Sequence, residues 1–220
     1  MGRGVHSVRN ILALLAATVL AAACSGSPET ETYFETKGLR APSGACNVTP
    51  SRLGLAERLG RINEHNGCEV SDPWSVRSLG AVAFSQPAIL DCAMAAPLDG
   101  WLKDSVQPAA LRSFGESVVA VDVAASYSCR PRNNQRGARM SEHGFGNAID
   151  IAAFTLASGR KVTVLDGWRG GNSEQRFLRQ VHDQACADFH TVLGPDSGRE
   201  HRNHLHLDLQ NRRNESVYCR

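Results

Sequence analysis

Two short segments carry metal-binding side chains at strand-like spacing, and they constrain the fold more than any other feature of the chain. Residues 141–150 read Ser-Glu-His-Gly-Phe-Gly-Asn-Ala-Ile-Asp, and residues 204–208 read His-Leu-His-Leu-Asp. Alternate side chains of a strand share one face. The second segment therefore predicts a strand that presents His204, His206 and Asp208 on one face and its leucines to a core.

The first segment offers an imidazole and a carboxylate on either side of a glycine-containing turn. His143 precedes the turn, and Asp150 follows it in a run that alternation would place on one face with Ala152 and Phe154. Two neighbouring strands can therefore bring Asp150 and a histidine to one cleft. Imidazole nitrogen and carboxylate oxygen are ordinary zinc ligands, so the two segments together predict a zinc site.

The N-terminus has the pattern of an export signal. Arg3 and Arg9 precede an unbroken apolar run over residues 11–23, which is too short to cross a bilayer comfortably and ends in small residues. Residues 1–23 are therefore predicted to be a signal peptide, and the protein is predicted to reach the periplasm or cell envelope.

Cysteine parity supports export and predicts a lipid anchor. The chain has seven cysteines, and an odd number in an exported protein needs an explanation. Residues 20–24 resemble a bacterial lipobox, which predicts acylation of Cys24 and attachment to a membrane; ordinary cleavage after Ala23 is the alternative. Six cysteines then remain for three disulfides. Sequential pairing predicts Cys46–Cys68, Cys92–Cys129 and Cys186–Cys219.

The remaining chain divides into a tether and one domain. Residues 24–45 are rich in Ser, Pro, Thr and Glu, which is typical of a flexible linker, and residues 46–220 are long enough for a domain with a core. Residues 1–23 hold two of the 24 basic residues and no acidic ones, so 22 basic residues would balance 22 acidic ones after cleavage. This balance gives no indication of a nucleic-acid partner.

Hydrophobic patterns predict an α+β domain, with a mainly antiparallel sheet and helices packed on one side. The predicted strands cover residues 67–70, 117–127, 148–156, 161–165 and 205–209. The predicted helices cover residues 51–59, 88–106 and 173–193. His182 and His190, in the last helix, are predicted to be surface or boundary residues.

The motif Ser-x-His-x-x-Gly-x-Ala-x-Asp followed by His-x-His resembles the signature of a group of zinc peptidases. This group includes D-alanyl-D-alanine carboxypeptidases and dipeptidases, murein endopeptidases, lysostaphin-type enzymes and the hedgehog signalling domain. Residues 46–220 more closely resemble the bacterial extensin-like C-terminal domain family. Further features of that resemblance are residues 126–130, Trp168, residues 177–179 and the closing Tyr-Cys-Arg.

The resemblance implies a hedgehog/DD-peptidase-like zinc fold with His143, Asp150 and His206 as the metal ligands. Three protein ligands would leave a fourth position for water, as in catalytic zinc sites. Zinc lowers the pKa of bound water from 15.7 to about 7. The remaining histidine, His204, would act as general base or oxyanion donor.

Other residues near the motifs receive predicted supporting roles. Arg130 would contact a substrate carboxylate or carbonyl or form a structural salt bridge, and Ser141 would bond near the ion or cap the turn. His201 and Asp208 are candidates to orient a ligand imidazole. Carboxypeptidases of the group place a catalytic Glu where this chain has Asn203, so the motif is closer to that of the endopeptidases.

The sequence therefore predicts an exported zinc metallopeptidase that hydrolyses amide bonds in peptidoglycan stem peptides or cross-links. The alternative is a catalytically inactive, zinc-stabilised domain that binds the cell wall or a protein. An inert disulfide-bonded domain without metal is the third possibility. The bond cleaved, the oligomeric state and any protein partner have no signal in the sequence.

Overall fold

The computed structural model describes residues 54–220 except 213 and 215. The predicted signal peptide (residues 1–23), the tether (residues 24–45), Cys24 and Cys46 lie outside these residues. Within the described part, no helix has both the length and the apolar character needed to cross a bilayer.

Short strands and a few helices alternate along the chain. The strands are β1 (Ala56–Arg58), β2 (Ile62–Asn63), β3 (Glu69–Val70), β4 (Pro73–Leu79), β5 (Val82–Asp91), β6 (Val118–Ala125), β7 (Ala148–Leu156), β8 (Lys161–Thr163), β9 (Thr191–Leu193), β10 (Leu205–Asp208) and β11 (Tyr218–Cys219). The helices are α1 (Cys92–Trp101), α2 (Gln107–Phe114), α3 (Val164–Gly167) and α4 (Asn172–Ala185), and a π-helical turn (Leu102–Val106) joins α1 to α2.

Nine of the described strands form one sheet in the order β1-β4-β5-β6-β7-β10-β9-β11, with β8 paired to β7. Neighbours run antiparallel except in two pairs, β5 with β6 and β9 with β11. A mixed fold with a mostly sheet core and a mainly antiparallel sheet is thus confirmed. The β7–β8 hairpin is also confirmed, with Phe154 opposite Val162.

Strand β7 is covered on both faces, which the simple alternation did not predict. Ile149, Ile151 and Phe154 are all fully buried, although they belong to opposite faces of an alternating strand. Phe154 packs against Trp101 of α1 and Phe177 of α4, so the helices bury one side of the strand. A central strand covered on both sides is apolar throughout rather than alternating.

Two predicted helices have different boundaries in the structure, and a third is wrong. Residues 88–91 end β5, and α1 begins at Cys92, where Asp91 accepts a hydrogen bond from the Ala93 N–H. Helix α4 ends at Ala185, and residues 191–193 form β9, whose Thr and Val favour a strand. The described part of the predicted helix at 51–59 contains β1 instead.

The predicted disulfide connectivity is correct for one pair. Cys186 bonds to Cys219 as predicted, but Cys68 bonds to Cys129, so the predicted pairs Cys46–Cys68 and Cys92–Cys129 are wrong. The reason is that the β2–β3 hairpin folds back onto the segment that leaves β6, and this contact brings together cysteines 61 residues apart. Cys92 is also disulfide-bonded.

Candidate metal site

Paired strands and one adjacent turn bring three metal-binding side chains together. Asp150 of β7 lies directly opposite His206 of β10 in the antiparallel register. His143 lies in a 3₁₀ turn (Glu142–Phe145) that leads into β7. The prediction that neighbouring strands deliver Asp150 and a histidine to one place is therefore correct, and the turn adds the second histidine.

The three donor atoms are spaced as a tetrahedral metal requires. His143 Nε2 lies 3.3 Å from both His206 Nδ1 and Asp150 Oδ1, and His206 Nδ1 lies 2.8 Å from Asp150 Oδ1. Ligands about 2.0–2.1 Å from a tetrahedral zinc are about 3.3 Å apart. All three residues are buried. The set can therefore hold a metal ion after sub-ångström adjustment.

A left-handed glycine shapes the turn that carries His143. Gly146 has φ +62°, and an added Cβ would lie 2.7 Å from the Asp91 backbone nitrogen and 2.9 Å from a Val70 methyl. Its N–H donates to the His143 carbonyl. A side chain at position 146 would be strained by both the backbone angle and the neighbouring strands.

Both histidines have their second ring nitrogen fixed by an acceptor. His143 Nδ1 lies 2.5 Å from the Ser126 carbonyl, which leaves Nε2 to face the other donors. His206 Nε2 lies 2.9 Å from Asp208 Oδ2. Such partners set the tautomer and direction of ligand imidazoles. Asp208 therefore orients His206, as predicted for this candidate. The matching contact of the Ser126 carbonyl with His143 was not predicted, because any residue type can supply a backbone carbonyl.

Opposite charges within the cluster shift its pKa values. Burial acts to raise the pKa of Asp150, but its contacts with His143 and His206 hold it well below the usual range. Burial acts to lower the pKa of His206, but hydrogen bonds to Asp150 and Asp208 raise it to about 9. In the metal-free protein at neutral pH, His206 is therefore an imidazolium between two carboxylates.

His204 lies beside this set with one nitrogen directed towards it. Its Nε2 is 3.6 Å from Asp150 Oδ1, and its Nδ1 is 3.0 Å from Asn203 Oδ1. An amide oxygen accepts, so Asn203 fixes the proton on Nδ1 and leaves Nε2 as a base. Burial lowers the pKa of His204, and nearby His206, His143 and Arg130 lower it further against the pull of Asp150. At neutral pH His204 is uncharged.

The other predicted site residues lie around the cluster. The His201 ring centre is 5.3 Å from that of His204 and 5.8 Å from that of His206, and burial and these histidines lower its pKa to about 4. Buried Ser141 begins the 3₁₀ turn, but its side chain does not cap it. Half-buried Arg130 forms no side-chain ion pair within the described residues, although its charge acts on His204.

A second group of possible ligands is committed to structural bonds. His182, Cys186 and Cys219 lie close together, but the two cysteines form a disulfide. His182 is buried, and its Nε2 lies 3.0 Å from the Arg220 carbonyl. The prediction that His182 is a surface or boundary residue is therefore wrong, because β11 folds the C-terminus onto α4.

Replacing Asp208 by asparagine is expected to weaken metal binding at these residues by about 10- to 100-fold, the usual cost of losing an orienting partner. Asparagine keeps the shape but is a neutral, weaker acceptor for His206 Nε2. Zinc affinity measured by chelator competition tests this. Asp183→Asn is the matched control, because it alters another Asp–His pair, that with His182, outside the site. Equal affinities in the two variants would contradict the role of Asp208.

Comparison with known proteins finds a matching family model but no matching individual protein. A family model described as "Extensin-like protein C-terminus" matches residues 45–220, which is most of the chain. No curated protein and no solved structure matches.

Proposed function

We propose that this chain, which belongs to the extensin-like protein C-terminus family, is an exported zinc metallopeptidase acting on peptidoglycan peptide bonds. The observation that carries the proposal is the donor set of His143, Asp150 and His206, whose three atoms lie 2.8–3.3 Å apart. Two nitrogens and one carboxylate oxygen are a ligand set found in catalytic zinc sites.

The number of ligands favours a catalytic over a structural site. Structural zinc sites have four protein ligands, whereas catalytic sites have three. Among the described residues, His204 and His201 do not belong to the set whose donor atoms are all mutually close. When bound, zinc would polarise an amide carbonyl as a Lewis acid and lower the pKa of its bound water to about 7.

The side chains around the set would share the remaining tasks of amide hydrolysis. His204 Nε2 would accept a proton from the attacking water and return it to the leaving amine, because Asn203 fixes its proton on Nδ1. Asp150 would stay ionised and balance part of the cation's charge. Arg130 would bind a substrate carboxylate or carbonyl, since its planar fork suits such groups and no described acid pairs with it.

The proposal also covers where the protein acts and which fold the domain shares. Residues 1–23 would direct export, and acylated Cys24 would hold the domain at a membrane, near the peptidoglycan. The domain would share the hedgehog/DD-peptidase-like zinc fold, given the Ser-x-His-x-x-Gly-x-Ala-x-Asp and His-x-His motifs and the pairing of β7 with β10.

One distance favours a second candidate, a zinc-stabilised domain that binds cell wall or protein without catalysis. His204 Nε2 is only 3.6 Å from Asp150 Oδ1, so a small movement of its ring would make it a fourth ligand. Four protein ligands would close the site to substrate. Zinc X-ray absorption spectroscopy separates the candidates, because the first has two imidazole ligands and the second has three.

Metal analysis and mass spectrometry of muropeptides test the main proposal directly. The purified protein is expected to hold one zinc per chain and to shorten or separate the stem peptides in a muropeptide digest. Removing zinc with a chelator should stop the reaction, and adding it back should restore it. Zinc-loaded protein that leaves every muropeptide unchanged would contradict the peptidase and favour the binding domain.

Zinc affinity is expected to rise about tenfold per pH unit between pH 6.5 and 8. The pKa of His206 is raised to about 9, so its proton must leave before Nδ1 can bind a metal. Calorimetry in buffers of different ionisation enthalpy should therefore detect about one proton released per zinc at pH 7. The stability of the metal-free fold should change with pH in the opposite direction. The stabilising charge of His206 is fully present below pH 6.5 and is lost as the pH rises through 9. A pH-independent affinity would show that His206 is already neutral.

A further inference from the structure

The segment that leaves β6 holds the His143 turn at two points. The Ser126 carbonyl bonds to the imidazole, with 2.5 Å between oxygen and Nδ1. The Ser128 N–H donates to the His143 backbone carbonyl, with 3.2 Å between nitrogen and oxygen. The direction of the His143 ring therefore depends on where residues 126–128 lie.

A disulfide fixes the end of that segment. Cys129 follows Ser128 directly and is bonded to Cys68, which is fully buried beside β3. The same hairpin makes a second attachment, since the Tyr127 hydroxyl donates to Glu64 with 2.5 Å between the oxygens. Without the disulfide, residues 126–128 would lose their covalent connection to the β2–β3 hairpin.

The disulfide also packs directly against the turn. An added Cβ on Gly144, the residue after His143, would lie 2.6 Å from the Cys68 sulfur. Only a glycine leaves room for the sulfur at this distance. The Cys68–Cys129 bond thus contacts the turn at Gly144 and, through Ser128 and Ser126, holds both the backbone and the ring of His143.

We propose that the Cys68–Cys129 disulfide positions His143 for metal binding, so that zinc affinity depends on the oxidation state of this bond. The inference rests on the metal site of the proposed function. Reduction by a dithiol would transfer two electrons and two protons to the two sulfurs, while the dithiol closes to its own disulfide. The two new thiols would separate, and residues 126–128 would no longer hold the imidazole in one direction.

Another described disulfide provides a matched control. Cys186–Cys219 joins the end of α4 to β11, and β9 separates β11 from β10 and His206. Each disulfide closes a long loop, so removing either lowers the stability of the fold. Of these two disulfides, it is Cys68–Cys129 that contacts the His143 turn, so its loss should weaken zinc binding and loss of Cys186–Cys219 should not.

The experiment compares Cys68→Ser/Cys129→Ser with Cys186→Ser/Cys219→Ser. Serine pairs are preferred to reduction of the native protein, because free thiols and dithiols bind zinc themselves. Zinc affinity is measured by chelator competition, at a temperature at which circular dichroism shows both variants folded. The first variant should bind zinc at least about tenfold more weakly than wild type, and the second should match wild type. Equal affinities in all three proteins would overturn the inference.

Gly144→Ala keeps the inference testable if the first serine variant does not fold. It leaves the cysteines unchanged but pushes the turn and the Cys68 sulfur apart. Weaker zinc binding by this variant, compared with Gly171→Ala, where φ is −62° and nothing lies within 4 Å of an added Cβ, would support the positioning role of the disulfide, and unchanged binding would count against it. Failure of wild type to bind zinc would instead refute the metal site itself.

Discussion

Replacing His206 by alanine is expected to weaken zinc binding by about 100- to 1,000-fold. A four-ligand protein site contributes about 10–16 kcal/mol of apparent zinc binding energy, so one ligand accounts for roughly 2.5–4 kcal/mol, or about two to three powers of ten in affinity. His206 donates Nδ1 to the site and lies within 3.3 Å of both other donor atoms. Chelator competition measures the loss.

The same substitution also removes a positive charge that lies between two buried carboxylates at neutral pH. Asp150 and Asp208 both bond to the His206 ring, so alanine would leave both without this cation, at a cost of about 3–5 kcal/mol in unfolding free energy. His206→Gln separates the two effects, because its amide donates a hydrogen bond but is a poor zinc ligand. His190→Ala, which removes an exposed histidine, is the control. Wild-type affinity in His206→Gln would show that the metal binds elsewhere.

In the proposed peptidase, replacing His204 by alanine is expected to lower the turnover of muropeptide hydrolysis by about 10²- to 10⁴-fold while zinc stays bound. A positioned general base contributes this range of rate. His204 is neutral, its Nε2 faces the donor set, and it is not one of the three closely spaced donors. Product formation followed by mass spectrometry, together with zinc content, gives both quantities for one preparation.

The two quantities discriminate between the candidate functions. A lower rate with unchanged zinc content identifies His204 as a proton carrier. Loss of zinc identifies it as a fourth ligand and favours the binding domain. His65→Ala removes another exposed histidine, outside the donor set, and should change neither quantity. Unchanged turnover in His204→Ala would assign the proton transfer to another group, and His201 would be the next to test.

The part of the fold that holds the site could be predicted because its signals are local. Alternation over residues 204–208 placed the histidines on one face and the leucines on the other, and Leu205 and Leu207 are fully buried. The β7–β8 hairpin followed from a glycine-containing turn between two apolar runs. In both cases the side chains that decide the structure lie within ten residues of each other in the chain.

Long-range contacts explain most of what the sequence did not predict. The bond between Cys68 and Cys129 depends on how the β2–β3 hairpin folds back, and spacing along the chain does not encode this. Residues 191–193 continue the apolar stripe of α4 but pair with β10 as a strand, because the sheet buries Val192. The β4–β5 hairpin was missed because Pro87 interrupts the apolar pattern of β5, and β4 begins at another proline, Pro73.

The direct opposition of Asp150 and His206 makes the site independent of the length of chain between them. Residues added at the β7–β8 turn or in the loop before β10 would leave the pair facing each other, because the hydrogen bonds between β7 and β10 set the register of the two strands. One residue inserted inside β10 would have the reverse effect: leucines would enter the cleft and the imidazoles would turn to the other face. Among relatives of this chain, variation in length is therefore compatible with metal binding only outside these two strands.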